Sequence, residues 1–304
     1  MGEVKEYVRM TLTELQELDR AKTIFLMAVS PIEVHGPHLP LGTDVFVAEE
    51  MLRRYQAALA EEYPDYTLVL LPSLYVGSDA LPAKGSLSVP APVMREVLLA
   101  YVKGLAAQGF RYLFLADNHG GPRHQLGMEV AARKAWKKYR FYLVNPFNLE
   151  FRLMVQHDPG FLRDCGLRPG SCGDDADAHA GTNETSLMLV ASPDQVRENW
   201  SAVEASLPPP KVKAVSQLGK FFGFFSPALG KDMDHLAATL GWVSDPNMKP
   251  YMGAPGSASA EAGEAMLQAR LKVAMDLFRR ALAGEPLEIR PMLWGLKALH
   301  RLPE

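Results

Sequence analysis

Cysteine is scarce in this chain: Cys165 and Cys172 are the two cysteines among 304 residues. Their spacing matches neither a zinc knuckle nor a Cys-x-x-Cys redox pair, so they read as thiols of a reducing compartment and not as a disulfide framework. An excess of one charge is missing too. A formal net charge of −3 provides no basic field for nucleic acid and no polybasic patch for an anionic membrane. No apolar run approaches the ~20 residues of a membrane span. The charged start, Met1-Gly2-Glu3-Val4-Lys5-Glu6, lacks the apolar core of a secretory signal, and Glu6 stands where a myristoylation signal needs Ser or Thr. There is no Gly-x-Ser-x-Gly elbow, and neither cysteine has a catalytic motif around it, which removes support for covalent catalysis. A cytoplasmic protein with a small-molecule substrate, and no nucleic acid or membrane partner, is the expectation.

What is present is a large apolar fraction, 48% hydrophobic against 22% charged, enough for one large α/β domain over 1–304. Helical and extended patterns alternate as in a doubly wound sheet. Strands are predicted at 22–30, 66–71, 111–116 and 140–145. Helices are predicted from a Thr11/Glu14 capping box, over 45–62, over 92–108 up to Gly109, over 125–138 and over 258–282. Pro208-Pro209-Pro210 begins a stretch to about Gly256, rich in Gly, Pro and Phe, with poor periodicity. It is expected to be an irregular excursion, serving function or contacting a neighbouring subunit.

Two apolar runs end in metal-ligand residue types. One leads into Glu33-Val34-His35 with Asp44 following, the other into Asp117-Asn118-His119. On neighbouring parallel strands their carboxyl ends share one sheet edge, where such folds form ligand crevices. Pro31 and Pro37 keep the first segment extended, so Glu33 and His35 point to one face. Asp44 taken alone reads better as an N-cap. His38 reads as a structural loop histidine and His124 as a surface or capping residue. Two glycines after His119 let another group approach closely. A third cluster follows Asp174, Asp175 and Asp177, which read as a solvated run; His179 and Glu184, beside an apolar segment, fit that poorly.

These motifs together, Glu33-Val34-His35-Gly36-Pro37-His38-Leu39-Pro40 with Asp44, His119-Gly120-Gly121, and His179-Ala180-Gly181 with Glu184-Thr185-Ser186, resemble the creatininase (creatinine amidohydrolase) family. The resemblance implies a three-layer αβα sandwich around a mostly parallel sheet, assembled into homohexamers. It implies that Glu33, His35, Asp44 and His119 are metal ligands with Asp44 bridging, and that Glu184 completes a second ion. His179 takes a substrate-contacting or proton-transferring role. One or two divalent ions are implied, and carboxylate and imidazole donors suit zinc, manganese or iron.

Two departures bear on substrate. Creatininase has a glutamate ligand two positions after the matching histidine, where this chain has Gly121. Pro122 replaces an asparagine and supplies neither an amide side chain nor a backbone donor. Trp136, Trp200, Trp242 and Trp294 lie outside the segments where creatininase flanks its substrate, which argues against creatinine. The expected function is metal-dependent hydrolysis of a cyclic amide or related non-peptide C–N carbonyl compound. The alternatives are a ring-opening hydrolase or isomerase of a cyclic ketone, and an inactive metal-binding oligomer.

Overall fold

A computed structural model describes residues 3–167, 177–208 and 210–302; Cys172, Asp174 and Asp175 lie outside them. The chain opens with β1 (Val4–Glu6) and α1 (Leu12–Glu17). The capping box at α1 forms as the sequence requires, with the Glu14 amide donating to Thr11 Oγ1 (3.3 Å) and the Thr11 amide to Glu14 Oε2 (2.7 Å). Then come β2 (Thr23–Ala28), α2 (Thr43–Glu62), β3 (Thr67–Leu70), α3 (Ala91–Ala107), β4 (Tyr112–Ala116), α4 (Pro122–Tyr139) and β5 (Tyr142–Val144). α4 begins three residues before the predicted Gln125, because Pro122 takes the first helical turn, where a missing N–H costs nothing. β1 has no apolar run to announce it; it exists as the edge partner of β3.

The strands among the described residues pair in parallel in the order β1-β3-β2-β4-β5. Helices α5 (Phe147–Val155), α6 (Pro159–Asp164), α7 (Thr182–Ala191) and α10 (Ala260–Leu282) complete the layers. β2 is buried along its whole length, as a strand covered on both faces must be. Ile24, Leu26 and Ala28 face a core with α2, α7 and α10, whereas Phe25, Met27 and Val29 face one with α3 and α4. In the first core Phe114 of β4 stacks on Phe278 of α10, 4.2 Å between ring centres; truncating such a ring costs about 3–5 kcal/mol. This is the expected three-layer sandwich. Its strand order reverses at β2, with β3 on one side and β4 on the other, so the loops leaving β2 and β4 part and open a crevice at the carboxyl edge.

The stretch from 208 to 256 departs from expectation. It is not irregular: α8 (Lys213–Phe225) and α9 (Pro227–Val243) form a helical pair. Ser226 caps α9 and accepts from the Leu229 amide at 3.4 Å. Phe221, Phe222, Phe224 and Phe225 share one half of α8 with Ala214, Val215 and Leu218, at about 100° per residue, so the stretch does carry a helical period, contrary to the expectation of poor periodicity. Glycines set how closely the helices cross, since a Cβ at Gly230 would lie 2.7 Å from the Gly223 Cα. Phe221, Phe224 and Phe225 are 61%, 87% and 72% exposed, so this turn does not fold back on its own chain. No helix among the described residues is long and apolar enough to cross a membrane.

Candidate metal centre and active site

The crevice fills with side chains from five segments. Beyond β2 the backbone stays extended, with Glu33 and His35 buried and Ile32 and Val34, alternating with them, half-buried, as a period of two demands. Gly36 then turns at φ +67°, a conformation that glycine adopts freely. Asp44 lies in the first turn of α2 but caps nothing, because Gly42 occupies the cap position without a side-chain bond. Its carboxylate is fully buried in the crevice. His119 follows β4. His179 precedes α7 in a backbone bridge to Met252, and Glu184 sits in the first turn of α7.

All six predicted residues converge. Asp44 stands between two groups: Oδ2 is 3.3 Å from His119 Nδ1, which is 3.0 Å from Glu33 Oε2. Oδ1 is 3.5 Å from His35 Nε2, which is 3.6 Å from Glu184 Oε2. Glu33, Asp44 and His119 thus form one trio of possible ligands, and His35, Asp44 and Glu184 a second. His179 reaches the same space, with Nδ1 3.8 Å from Glu184 Oε2, and forms a further trio with Glu33 and His35. Each histidine is tethered through its other nitrogen to a backbone carbonyl: His35 Nδ1 to Glu33 (3.0 Å), His119 Nε2 to Ser78 (3.0 Å) and His179 Nε2 to Val34 (2.7 Å). Such tethers orient imidazoles that bind metal.

Burial alone would lower the pKa of His35, but the Asp44 and Glu184 carboxylates outweigh it and hold it at about 10. His119 is likewise raised well above its ordinary value against burial, by Glu33 and Asp44. Burial pushes Asp44 up, and the two imidazoles more than reverse that, leaving its carboxyl well below the usual range. A buried patch of this kind demands positive charge. The donor set fits a hard divalent cation: carboxylates and imidazoles converge, while His35 Nε2 and Asp44 Oδ2 have no hydrogen-bond partner although buried.

Behind this floor lies a layer that the sequence reading did not single out. Asn118 Nδ2 donates to Asp44 Oδ1 (3.1 Å), and Arg270 of α10 holds Asn118 Oδ1, the Asp117 carbonyl and Glu150 Oε2, each at 2.8 Å. Asp117 accepts from Ser30 Oγ at 2.8 Å and lies 3.0 Å from His124 Nε2. His124 is therefore fully buried, not the surface or capping residue that its place at a helix start suggests. His38 is structural, as expected, and its Nε2 pairs with the Thr185 hydroxyl (2.9 Å). Asp117 and Asn118 could have been found from their place at the end of an apolar strand; nothing local marks Arg270 within a long amphipathic helix.

Above the floor a cavity opens, lined on one side by Phe147, Phe151 and Met154 of α5 and on another by Ala238 and Trp242 of α9. Trp242 corrects the reading that places the tryptophans elsewhere, for its ring centre lies 5.4 Å from that of His179. Its segment is remote in sequence, and the helical pair carries it back. Gly121 is likewise explained. A Cβ there would crowd the His119 ring and lie 2.8 Å from the Ser78 carbonyl, so no carboxylate fits at that position in this conformation.

Comparison with known proteins agrees with this geometry. The family model for creatininase, creatinine amidohydrolase, matches residues 8–278. Among curated proteins the chain is 28% identical over 192 residues to the mycofactocin precursor peptide peptidase of Mycobacterium tuberculosis (strain ATCC 25618 / H37Rv), covering 61% of this chain and 66% of the relative. The peptidase of the same name from Mycolicibacterium smegmatis is 28% identical over 188 residues, 60% and 63% of the two chains. The chain thus matches just under two thirds of the length of these relatives. Among solved structures it is similar to "Creatininase Mn" (TM-score 0.59, 20% identity, covering 91% of this chain and 98% of that one). It is similar to creatinine amidohydrolase (creatininase) as well (0.60, 20%, covering 91% and 97%). A mutant creatininase of "Zn-Zn type" aligns at 0.59 and 20%, covering 91% and 98%. At these identities the likeness of structures speaks for the fold, while the match of the family model extends over most of the sequence: the chain belongs to the creatininase family.

Proposed function

We propose that this chain is a metal-dependent amidohydrolase that adds water to a C–N carbonyl bond. The observation that carries the reading is Asp44, whose two oxygens face two separate imidazole and carboxylate groups. Glu33, Asp44 and His119 would hold one ion, and His35, Asp44 and Glu184 a second, with Asp44 shared. Zinc or manganese suits this donor set, as does iron, and the neighbours described as Mn and Zn-Zn forms support the first two. A divalent ion in such a site lowers the pKa of water toward 7 and polarises a carbonyl.

The chain's own residues supply the rest. The tether from His179 Nε2 to the Val34 carbonyl leaves Nδ1 turned toward Glu184 and the cavity. Glu184 would accept the proton released from water and hand it to His179 Nδ1, 3.8 Å away, which would pass it to the leaving nitrogen as the C–N bond breaks. The curated relatives are named as peptidases, so peptide amides join cyclic amides as candidate substrates. Metal analysis of the purified protein, joined to a panel of lactams, formamides, short peptides and keto-polyols, tests the reading. Stoichiometric metal with metal-dependent release of amine supports it. Turnover confined to keto-polyols moves the chain to the ring-opening alternative.

The exposed phenylalanines of α8 support a homo-oligomer in which a neighbouring subunit covers them, because an apolar patch of this kind is costly in water. Replacing Phe221, Phe222, Phe224 and Phe225 with Ser should lower the assembly's mass by light scattering. An unchanged mass removes that role.

A further inference from the structure

We propose that the helical pair inserted between Pro208 and Gly256 selects the substrate, and that the preferred substrate is a neutral amide carrying an aromatic or branched apolar group within a few bonds of the reacting carbonyl. The proposal rests on the hydrolytic reading above and deepens it. Three observations carry it.

The first is the division of the cavity. The metal-ligand residue types lie at the floor, and the walls are largely apolar, with Phe147, Phe151 and Met154 of α5 and Ala238, Trp242 and Val243 of α9, the last interrupted by His235 and Thr239. An apolar group tethered to a carbonyl at the floor has surface to bury on either side.

The second is that several lining groups able to recognise charge already have partners, Glu150 Oε1 being buried without one. Arg270 commits three nitrogens to Glu150, Asn118 and the Asp117 carbonyl. Asp79 pairs with Arg123. Asp177 accepts from the Thr182 amide at 2.8 Å. A charged substituent would lose water and displace one of these bonds, whereas an apolar one disturbs none.

The third is that the wall is held in shape before any ligand arrives. Trp242 donates Nε1–H to the Lys249 carbonyl (3.1 Å), packs with Leu81 and Met252, and lies over His179. With its polar atom satisfied, the indole offers apolar surface beside the imidazole expected to meet the leaving nitrogen. Phe151 is fixed against Phe147 (5.7 Å between ring centres) and His235 of α9 (5.8 Å), which ties α5 and α9 into one pocket. A ligand group entering there meets a formed site and loses little free energy to ordering it.

Hydroxamates separate this proposal from the reading beneath it, because their head group binds a metal whether or not the tail fits. Dissociation constants of acetohydroxamic acid and 3-phenylpropionohydroxamic acid would be measured by calorimetry on the metal-loaded protein. The phenyl compound should bind at least about tenfold tighter, since one methylene in an enzyme pocket already reaches that range. The ratio should fall toward one in Trp242→Ala and in Phe151→Ala, and partly in Trp242→Phe, which keeps the wall filled if the alanine variants fold poorly. Equal affinities in the wild-type protein, a comparison that needs no variant, overturn the proposal. Failure of acetohydroxamic acid to bind overturns the metal reading instead. The wall is then tested on chelator-treated protein with N-acetylphenylalaninamide against N-acetylglycinamide, where lack of preference for the aromatic amide overturns it.

Discussion

The floor and the wall of the cavity are built by opposite means. The floor gathers three carboxylates and three imidazoles at one edge of a parallel sheet, with each imidazole tied by its second nitrogen to a carbonyl. The wall is largely apolar, comes from α5 and α9, and owes its shape to ring packing and to glycines that let α8 and α9 cross closely. On the proposed function the floor would determine which bond is attacked, because charge and hydrogen-bond geometry there admit few alternatives. The wall determines which molecules arrive, and packing can be redrawn without touching the chemistry. One fold can thus support different substrates over one kind of centre.

The sharpest way to break this comparison is Asp44→Ala. It should abolish metal binding and activity together while the helical circular dichroism persists, because Asp44 faces both ligand groups and caps nothing. Wild-type metal content in that variant would remove Asp44 from the ligands. His179→Asn comes next: metal content should hold, and turnover should fall by about 10²–10⁴, the scale of a lost general acid or base. Metal lost from a folded variant would move His179 among the ligands. Asn118→Ala tests the support beneath the floor. Removing its bond to Asp44 should weaken metal affinity roughly 10–100-fold, as loss of groups that orient ligands does. Unchanged affinity in a competition titration would limit Asn118 to packing.

The smallest effect concerns an acid outside both regions. Burial pushes Glu129 of α4 up to about 8, although Arg133 lies 2.8 Å away and acts to lower it. The folded chain then retains a proton that the unfolded chain releases above the ordinary glutamate value near 4.5. The resulting stabilisation is complete below that value and is lost as the pH rises toward 8. Glu129→Gln should flatten the decline in Tm between pH 5 and 8; a slope equal to that of the wild type would mean that Glu129 is ionised in the folded protein.

The two regions differ as much in how far the sequence reveals them. The strands at 23–28, 67–70, 112–116 and 142–144 could be read from apolar runs, because a parallel strand buried on both faces must be apolar throughout. Glu33 and His35 announce themselves by alternating in an extended segment. Three short motifs in order were enough to suggest the family. Asp44 stayed ambiguous between cap and ligand, since both uses place an aspartate at a helix start. α8 was missed because Gly219 and Gly223 within it and Pro210 and Pro227 around it, residues that usually break helices, outweighed a one-sided apolar pattern that was there to be read.

By itself, then, the sequence determined the layered fold and the residue types of the floor, since burial pattern and strand-end chemistry are local properties. Tertiary structure alone decided that Asp44 stands between two imidazoles, that Arg270 holds Asn118 in place, and that Trp242 and Phe151 wall one cavity. Each of these depends on groups more than 70 residues apart meeting within a few ångströms. No local pattern encodes that meeting; it follows from how the helices pack on the sheet.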